Sequence, residues 1–260
     1  MGCVGDDDLA DQALLPLEAV GVDTRQVNRV QGASTGVSMI TVPESGKKQI
    51  VLATNANDQW DAAALARLDR AINEASLPAL LAVDYEVPAV TVEHAIGAAR
   101  RAGIPVVLDP SFPERADSAL FPQLQAMTPN AEEAQALTGQ DTTTLEGAMA
   151  AARRLREWGV PLVCIKLADG GCVLATDDAL ELVPAQAQEV VDTTGAGDCF
   201  TGLFSIALLE GRSPREAACW AVAGANISVT AYGSQPAYPT REQVETQARE
   251  IDARVRSLHD

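Results

Sequence analysis

Apolar positions recur at two periods along the chain, and the switching between them sets out the fold. Leu9, Ala13, Leu14, Leu17 and Val20 share one helical face ahead of the stop Gly21, and Cys3 and Val4 read as the tail of a strand feeding that helix. Thr35, Val37, Met39 and Thr41 then alternate with Gly36, Ser38, Ile40 and Val42; a turn over 43–48 and a return strand over 49–52 complete a hairpin. Beyond it helices and strands take turns. Residues 61–74 are helical behind the cap Asp61, 79–84 form a buried strand, 91–101 a helix stopped by Gly103, and 104–109 a strand closed by Pro110. A strand around 124–127 precedes a helix within 128–139, 144–158 is a helix ended by Gly159, and 160–176 read as strand, glycine turn, strand. Strands near 180–184 and 188–192 lead into a helix on which Phe200, Leu203, Phe204, Ala207 and Leu208 repeat, with Gly211 as its stop. Ser213-Pro214-Arg215-Glu216 starts a further helix that runs to about Thr230, and Thr240 with Gln243 caps the last one.

This order predicts an α/β fold: a mostly parallel central sheet covered by helices on both faces, with ligands at the carboxyl ends of the strands. Asp84, Glu86 and Asp109 sit at such ends. At 260 residues the chain suits one domain, 1–260, and its 47% apolar content makes it globular. The longest apolar run, LPALLAV, is too short to span a bilayer, and no basic, apolar leader opens the sequence, so a cytoplasmic protein is expected. The five cysteines (Cys3, Cys164, Cys172, Cys199, Cys219) are odd in number and form no CxxC pair, which fits reduced core residues. A net charge of −17 argues against nucleic acid or an anionic membrane as partner. Any phosphate must therefore be held by backbone N–H groups, a metal ion and local charges.

Residues 189–211, EVVDTTGAGDCFTGLFSIALLEG, carry the strongest chemical signal. Gly195-Ala196-Gly197 open directly into a helix with Asp198 in its first turn. Glycines and the exposed N–H groups of a helix N-terminus suit a phosphate, whereas a carboxylate there repels one. Asp198 makes sense as the base for a hydroxyl that attacks the phosphate. The four residues GAGD alone also read as a glycine-rich turn with an acidic cap. No GxxxxGK[ST] occurs, and GxGxxG fails at Phe200.

The longer string DTTGAGDCFTG resembles the C-terminal signature of the PfkB carbohydrate kinases, also called the ribokinase family. Other stretches extend the likeness over essentially the whole chain, most strongly to the family's ribokinase branch. TGVSMITV and LATNAN resemble strands of its lid, so 34–54 is expected to be a partial lid hairpin within the domain. PNAEE resembles its PNxxE motif, KLADGG its nucleotide turn, and SVTAYGSQPAYPTREQV its closing loop. The resemblance implies a ribokinase-like fold and an ATP-dependent kinase that phosphorylates a primary hydroxyl of a pentose, D-ribose first. Another sugar or nucleoside kinase, or an inactive nucleotide-binding remnant, stands as the alternative.

Site residues follow by the same resemblance. Asp198 is the base and contacts the sugar; Gly195, Ala196 and Gly197 form the anion hole. Asn130, Lys166, Ala168, Asp169, Gly170, Gly171 and Gly197 meet the nucleotide, with Ala168 standing where a glycine is usual. Lys166 also reads as a strand end in solvent. Asn130 and Glu133 position Mg²⁺ indirectly, though PNxxE alone is most often an N-cap with a first-turn acid. Asp192, Thr194, Ser228, Ala231, Gly233 and Ala237 surround a monovalent cation, K⁺. Glu86 matches a glutamate near the sugar and also reads as a solvated loop acid. Val222 stands where an Asn or His often touches adenine. The family's first strand, further lid strands and GGKGAN-type sugar motif are expected upstream of Met1, read as an internal methionine of a longer chain. A homodimer formed through the lid is expected from the family. His94 and His259 have no acidic or thiol partner at ligand spacing, and Trp60, Trp158 and Trp220 are too far apart for a stacking platform.

Overall fold

The computed structural model describes residues 1–41 and 49–258; the turn expected over 43–48 and His259 lie outside them. Two compact units divide the chain, Met1–Ala75 with Glu86–Ala98, and Ser76–Tyr85 with Ala99–Asp260.

In the first unit β1 (Gly2–Val4) pairs in parallel with β2 (Val27–Arg29), and α1 (Asp8–Ala19) connects them. Three-residue strands leave too few positions for a period to show, which is why β2 was not expected. They also offer α1 little surface. The helix buries Ala10 and Leu14 beside Val4, while Leu9 and Val20 of the expected inner face are exposed. Asp7 caps α1 by accepting the Ala10 N–H at 3.2 Å, and its carboxylate also takes the Thr35 hydroxyl and N–H at 2.5 and 2.9 Å. β3 (Val37–Thr41) and β4 (Gln49–Ala53) form the antiparallel hairpin, paired from Val37↔Ala53 to Thr41↔Gln49. Val37, Met39, Ile40, Val51 and Leu52 on it are exposed. α2 (Ala62–Asn73) starts at Asp61 as predicted and buries Ala64, Leu68 and Ile72, one turn apart. α3 (Ala89–Ala102) begins in this unit, and its His94 lies 3.0 Å from Asp69 of α2. That partner is remote in sequence, so no local spacing revealed it.

The second unit is built on a sheet of seven strands among the described residues: β5 (Leu81–Asp84), β6 (Val106–Asp109), β7 (Ala126–Met127), β8 (Val163–Lys166), β9 (Cys172–Ala175), β10 (Leu180–Val183) and β11 (Arg256–Ser257). They lie side by side in sequence order; β5 to β8 are parallel and β8 to β11 antiparallel, so the sheet is mixed. Connection length explains the change: helices separate the first four strands, whereas a short glycine turn joins β8 to β9 and demands reversal. β5 alternates half-buried and exposed residues because it has one neighbour in this sheet, in place of the fully buried strand expected.

The helices of this unit are α4 (Ala131–Thr138), α5 (Leu145–Glu157), α6 (Ala196–Leu209), α7 (Pro214–Ser228) and α8 (Arg241–Asp252). α5 covers β8 and β9 with Ala148, Ala151, Ala152 and Leu155. On the other face Phe200, Phe204, Val222, Val244 and Ile251 pack over Val107, Cys164, Leu174 and Val183. Phe200 and Phe204 stack with centroids 6.3 Å apart, and burying each such side chain contributes roughly 1.5–3 kcal/mol. The strand expected at 188–192 does not form. The Val191 and Asp192 N–H groups instead both donate to the Val229 carbonyl, at 2.8 and 3.2 Å, which hangs this segment on the end of α7.

Candidate active site

Parallel pairing brings the carboxyl ends of β5 to β8 to one edge of the sheet, with Asp84 opposite Asp109 in register. Asn130, just after β7, is bridged to Lys166 at the end of β8, and the Lys166 N–H donates to the Pro129 carbonyl at 2.8 Å. The Lys166 ammonium donates to Asp109 Oδ2 at 2.8 Å, with the two side chains only 14% and 13% exposed. Thr201 Oγ1 donates to the same oxygen at 2.7 Å and lies 2.9 Å from Thr128 Oγ1. Thr201 is on α6, one turn beyond Asp198, so these contacts anchor the start of α6 at the strand ends.

The first turn of α6 is open to an anion. Gly195 is its N-cap at φ 77° and no side chain caps it, whereas α1, α2, α4, α5, α7 and α8 all carry side-chain caps. The Ala196 N–H makes a long contact to the Thr193 carbonyl, at 3.4 Å. Uncapped N–H groups and the helix dipole make a positive locus. Burial pushes Asp198 above the ordinary carboxylate range; the Asp109 charge adds to the rise and the Lys166 ammonium opposes it. Glu133 is raised chiefly by burial, with Lys166 opposing and Asp109 adding. Three carboxylates, Asp109, Glu133 and Asp198, thus share the field of one ammonium.

Asn130 and Glu133 form a reciprocal cap at the start of α4. Glu133 Oε2 accepts the Asn130 N–H at 2.7 Å, Oε1 accepts Nδ2 at 2.6 Å, and Asn130 Oδ1 accepts the Glu133 N–H at 2.8 Å. The capping reading of PNxxE is therefore realised. Each carboxylate oxygen keeps a further lone pair, and this donor set suits contact with a divalent ion through its water shell. Among the described residues no three His, Cys, Asp or Glu side chains group as a direct metal cage.

Asp192 gathers the second loop. Its Oδ1 accepts the Thr194 N–H and hydroxyl at 2.9 and 2.7 Å, and Oδ2 accepts the Gly233 N–H at 3.1 Å. The Asp192 carboxylate and the carbonyls of the 228–237 loop offer hard oxygen donors, which suit K⁺. Ser228 is fully buried and its hydroxyl donates to the Ala225 carbonyl at 2.9 Å, so its carbonyl is the group left for an ion. Ala237 is 7% exposed. Ala231 is exposed, so only its backbone is a candidate ligand.

The turn between β8 and β9 closes by Leu167 N–H to Gly171 carbonyl at 2.9 Å and Gly170 N–H to Leu167 carbonyl at 3.0 Å. Asp169 accepts the Gly171 N–H at 2.9 Å, which ties its carboxylate into the turn. A Cβ at Gly171 would lie 2.7 Å from the Val183 carbonyl oxygen, so glycine is required there, while the exposed Ala168 fits without conflict. Asn226 of α7 staples the turn: Nδ2 donates to the Gly170 carbonyl at 2.9 Å and Oδ1 accepts the Gln186 N–H at 2.7 Å. Val222 is fully buried in the core, one turn before Asn226.

The family model described as pfkB family carbohydrate kinase matches residues 1–241. The chain belongs to this family. It has the ribokinase-like α/β fold and is a phosphotransferase that acts on a sugar hydroxyl, with the ATP use that goes with membership. It is 31% identical over 243 residues to a ribokinase of Haemophilus influenzae, covering 94% of this chain and 78% of that one. It is 33% identical over 241 residues to a deoxyribokinase of Salmonella typhi, covering 92% and 78%. Among solved structures, the ribokinase of Thermotoga maritima superposes with a TM-score of 0.81 at 31% identity over 95% of this chain and 80% of that chain. The ribokinase of Arabidopsis thaliana complexed with ribose and ATP gives 0.79 at 28% identity, covering 96% and 81%. No helix among the described residues is long and apolar enough to cross a membrane.

Most of the kinase's expected phosphate-side residues fall in the second unit, and Asp198, Lys166, Asn130 and Glu133 come together there. Glu86 is exposed and belongs to the first unit. Sequence reasoning placed Asp109 only as a strand end and passed over Thr128, Thr201 and Asn226. The available signal for Thr201 was its spacing, three residues after Asp198 on the same helix.

Proposed function

We propose that this kinase transfers the γ-phosphoryl group of ATP to a primary hydroxyl of a pentose, D-ribose in the first place, giving ribose 5-phosphate. The observation that carries the proposal is Asp198 in the uncapped first turn of α6, beside the Lys166 ammonium, its carboxylate raised by burial above the ordinary range and so made a stronger base. Asp198 accepts the hydroxyl proton as that oxygen forms its bond to the γ-phosphorus. The bond from phosphorus to the bridging oxygen of ADP breaks in the same displacement, and ADP leaves with that electron pair. The N–H groups of Gly195, Ala196 and Gly197, with the helix dipole behind them, take up charge on the transferring oxygens. Lys166 adds its ammonium beside Gly197, where a Cβ would stand 3.7 Å from Nζ.

Ala168, Asp169, Gly170, Gly171 and Asn130 are assigned to the nucleotide. Asn130 and Glu133 would position Mg²⁺ through water, and the ion when bound neutralises phosphate charge. Asp192 and Thr194 with the carbonyls of Ser228, Ala231, Gly233 and Ala237 would hold K⁺, which adds positive charge beside the anion hole. Glu86 is the assigned sugar contact, checked by the KM for sugar of Glu86→Gln. The exposed apolar side chains of the hairpin β3–β4 support dimerisation through that element, read out by light scattering. A cytoplasmic location agrees with five buried, free cysteines.

The deoxyribokinases at 33% identity favour a second acceptor, 2-deoxyribose. The test is sugar-dependent ADP release with ribose, 2-deoxyribose, fructose and a nucleoside. A kcat/KM highest for ribose supports the assignment; a preference for fructose or the nucleoside overturns it.

A further inference from the structure

We propose that Asp109 is a positioning residue of the reaction: together with Thr201 it holds the Lys166 ammonium against the first turn of α6, where the lysine meets the transferring phosphoryl group. This rests on the reading of that turn as the phosphoryl site. It adds two residues, Asp109 and Thr201, that act on the phosphoryl group through a third.

The geometry defines the arrangement from several sides. Lys166 leaves β8 at a point fixed by pairing with Cys172 and by its bridge to Asn130, so its backbone has one place to start from. Among the described residues its ammonium makes one hydrogen bond, the 2.8 Å contact to Asp109 Oδ2. An ammonium carries three N–H donors, so two remain. The group stands beside Gly197, and the Phe200 ring centroid lies 6.0 Å from Nζ. The absence of a side chain at Gly197 leaves the ammonium open toward the helix N-terminus. Asp109 Oδ2 is fixed in turn by Thr201 Oγ1 at 2.7 Å, a donor on the very helix whose first turn receives the phosphate. The helix, the carboxylate and the lysine are thereby set in one frame. A phosphoryl group entering among Asp109, Glu133 and Asp198 meets net repulsion, and Lys166 is the side-chain cation that offsets it.

Asp198 faces Asp109 from β6, Lys166 from β8, Cys199 from its own helix and Tyr238 from the loop after α7, and Glu133 of α4 faces Lys166 and Asp109. The two members of the pair act on Asp198 with opposite sign, which gives a readout that a merely structural role would not produce.

The experiment uses the full chain with ATP and sugar, measuring kcat, both KM values and the pH profile of kcat for Asp109→Asn, Lys166→Met and the double variant. Lys166→Met is expected to lower kcat roughly 10²-fold, raise the KM for ATP and move the acid limb of the profile to higher pH. Asp109→Asn is expected to lower kcat roughly tenfold with the KM for sugar unchanged, and to move the acid limb to lower pH. The double variant is expected to be no slower than Lys166→Met, because Asp109 acts through the lysine. Wild-type kcat in Asp109→Asn, or multiplied losses in the double variant, overturn the proposal. Should Asp109→Asn fold poorly, Thr201→Val removes one hydrogen bond from the same oxygen, and a kcat equal to wild type there overturns it as well. Failure of the underlying site reading shows separately, as turnover retained in Asp198→Asn.

Discussion

Gly195→Ala is the sharpest single perturbation of the site. Gly195 sits at φ 77°, ψ 4°, and a Cβ there would lie 2.6 Å from Ser234 Cβ, 3.0 Å from Tyr238 Oη and 3.4 Å from Ser234 Cα. Two costs arise. A side chain in the left-handed region costs about 1–2 kcal/mol. Carbon atoms pack at about 3.5–4.0 Å, so the Ser234 side must withdraw by about 1 Å, and overpacking of this kind costs about 1–3 kcal/mol. The sum, about 2–5 kcal/mol, lowers Tm by roughly 4–20 °C at the 2–4 °C per kcal/mol usual for a domain of this size. The same 1 Å displacement acts on the anion hole, where such an error costs about 10²-fold in rate. Thermal unfolding and sugar-dependent ADP release measure the two effects. The double variant Gly195→Ala with Ser234→Gly removes the Cβ behind the worst contact. It should regain most of the overpacking loss and none of the backbone loss. A neutral Gly195→Ala, or a double variant no better than the single, would refute this reasoning.

The nucleotide turn, its staple and the buried base give three further expectations. Gly171→Ala drives a Cβ to 2.7 Å from the Val183 carbonyl oxygen, so the KM for ATP should rise at least tenfold while the KM for sugar holds, by initial-rate kinetics. Asn226→Ala leaves the Gly170 carbonyl and the Gln186 N–H without their partner; unfolding should show a loss of about 2–3 kcal/mol, with a higher KM for ATP. Asp198→Asn should raise Tm at neutral pH: a carboxylate raised in the folded state supports folding when protonated and weakens it once pH climbs through its folded pKa. The gain over wild type should shrink as pH falls from the raised folded pKa toward the ordinary aspartate range and be gone below it; a gain that grows toward acid would contradict the sign.

Periodic elements with clear ends were legible in the sequence, and α2, α5, α7 and α8 start where their Asp, Thr or Ser caps stand. The misreadings share a cause, namely that local pattern does not report the neighbour. Val190 and Val191 satisfied strand propensity, yet the Val191 and Asp192 N–H groups found the Val229 carbonyl. α1 carries more apolar positions than the short strand beside it can cover, so Leu9 and Val20 face outward. In the site, the residues carried by a contiguous motif were readable: Asp198 with its glycines, Asn130 with Glu133, and the turn 168–171. Asp109, Thr128, Thr201 and Asn226 were not, because their partners lie far off in sequence, 57 residues in the case of Asp109 and Lys166.

The central claim is that Asp198 takes the proton from the sugar hydroxyl. Single-turnover phosphoryl transfer from ATP to ribose, comparing wild type with Asp198→Asn, tests it most directly. The account predicts a fall of roughly 10²–10⁴ in the transfer rate with ATP binding retained, since the amide keeps the shape of the turn but accepts no proton. Transfer at the wild-type rate in Asp198→Asn would contradict it.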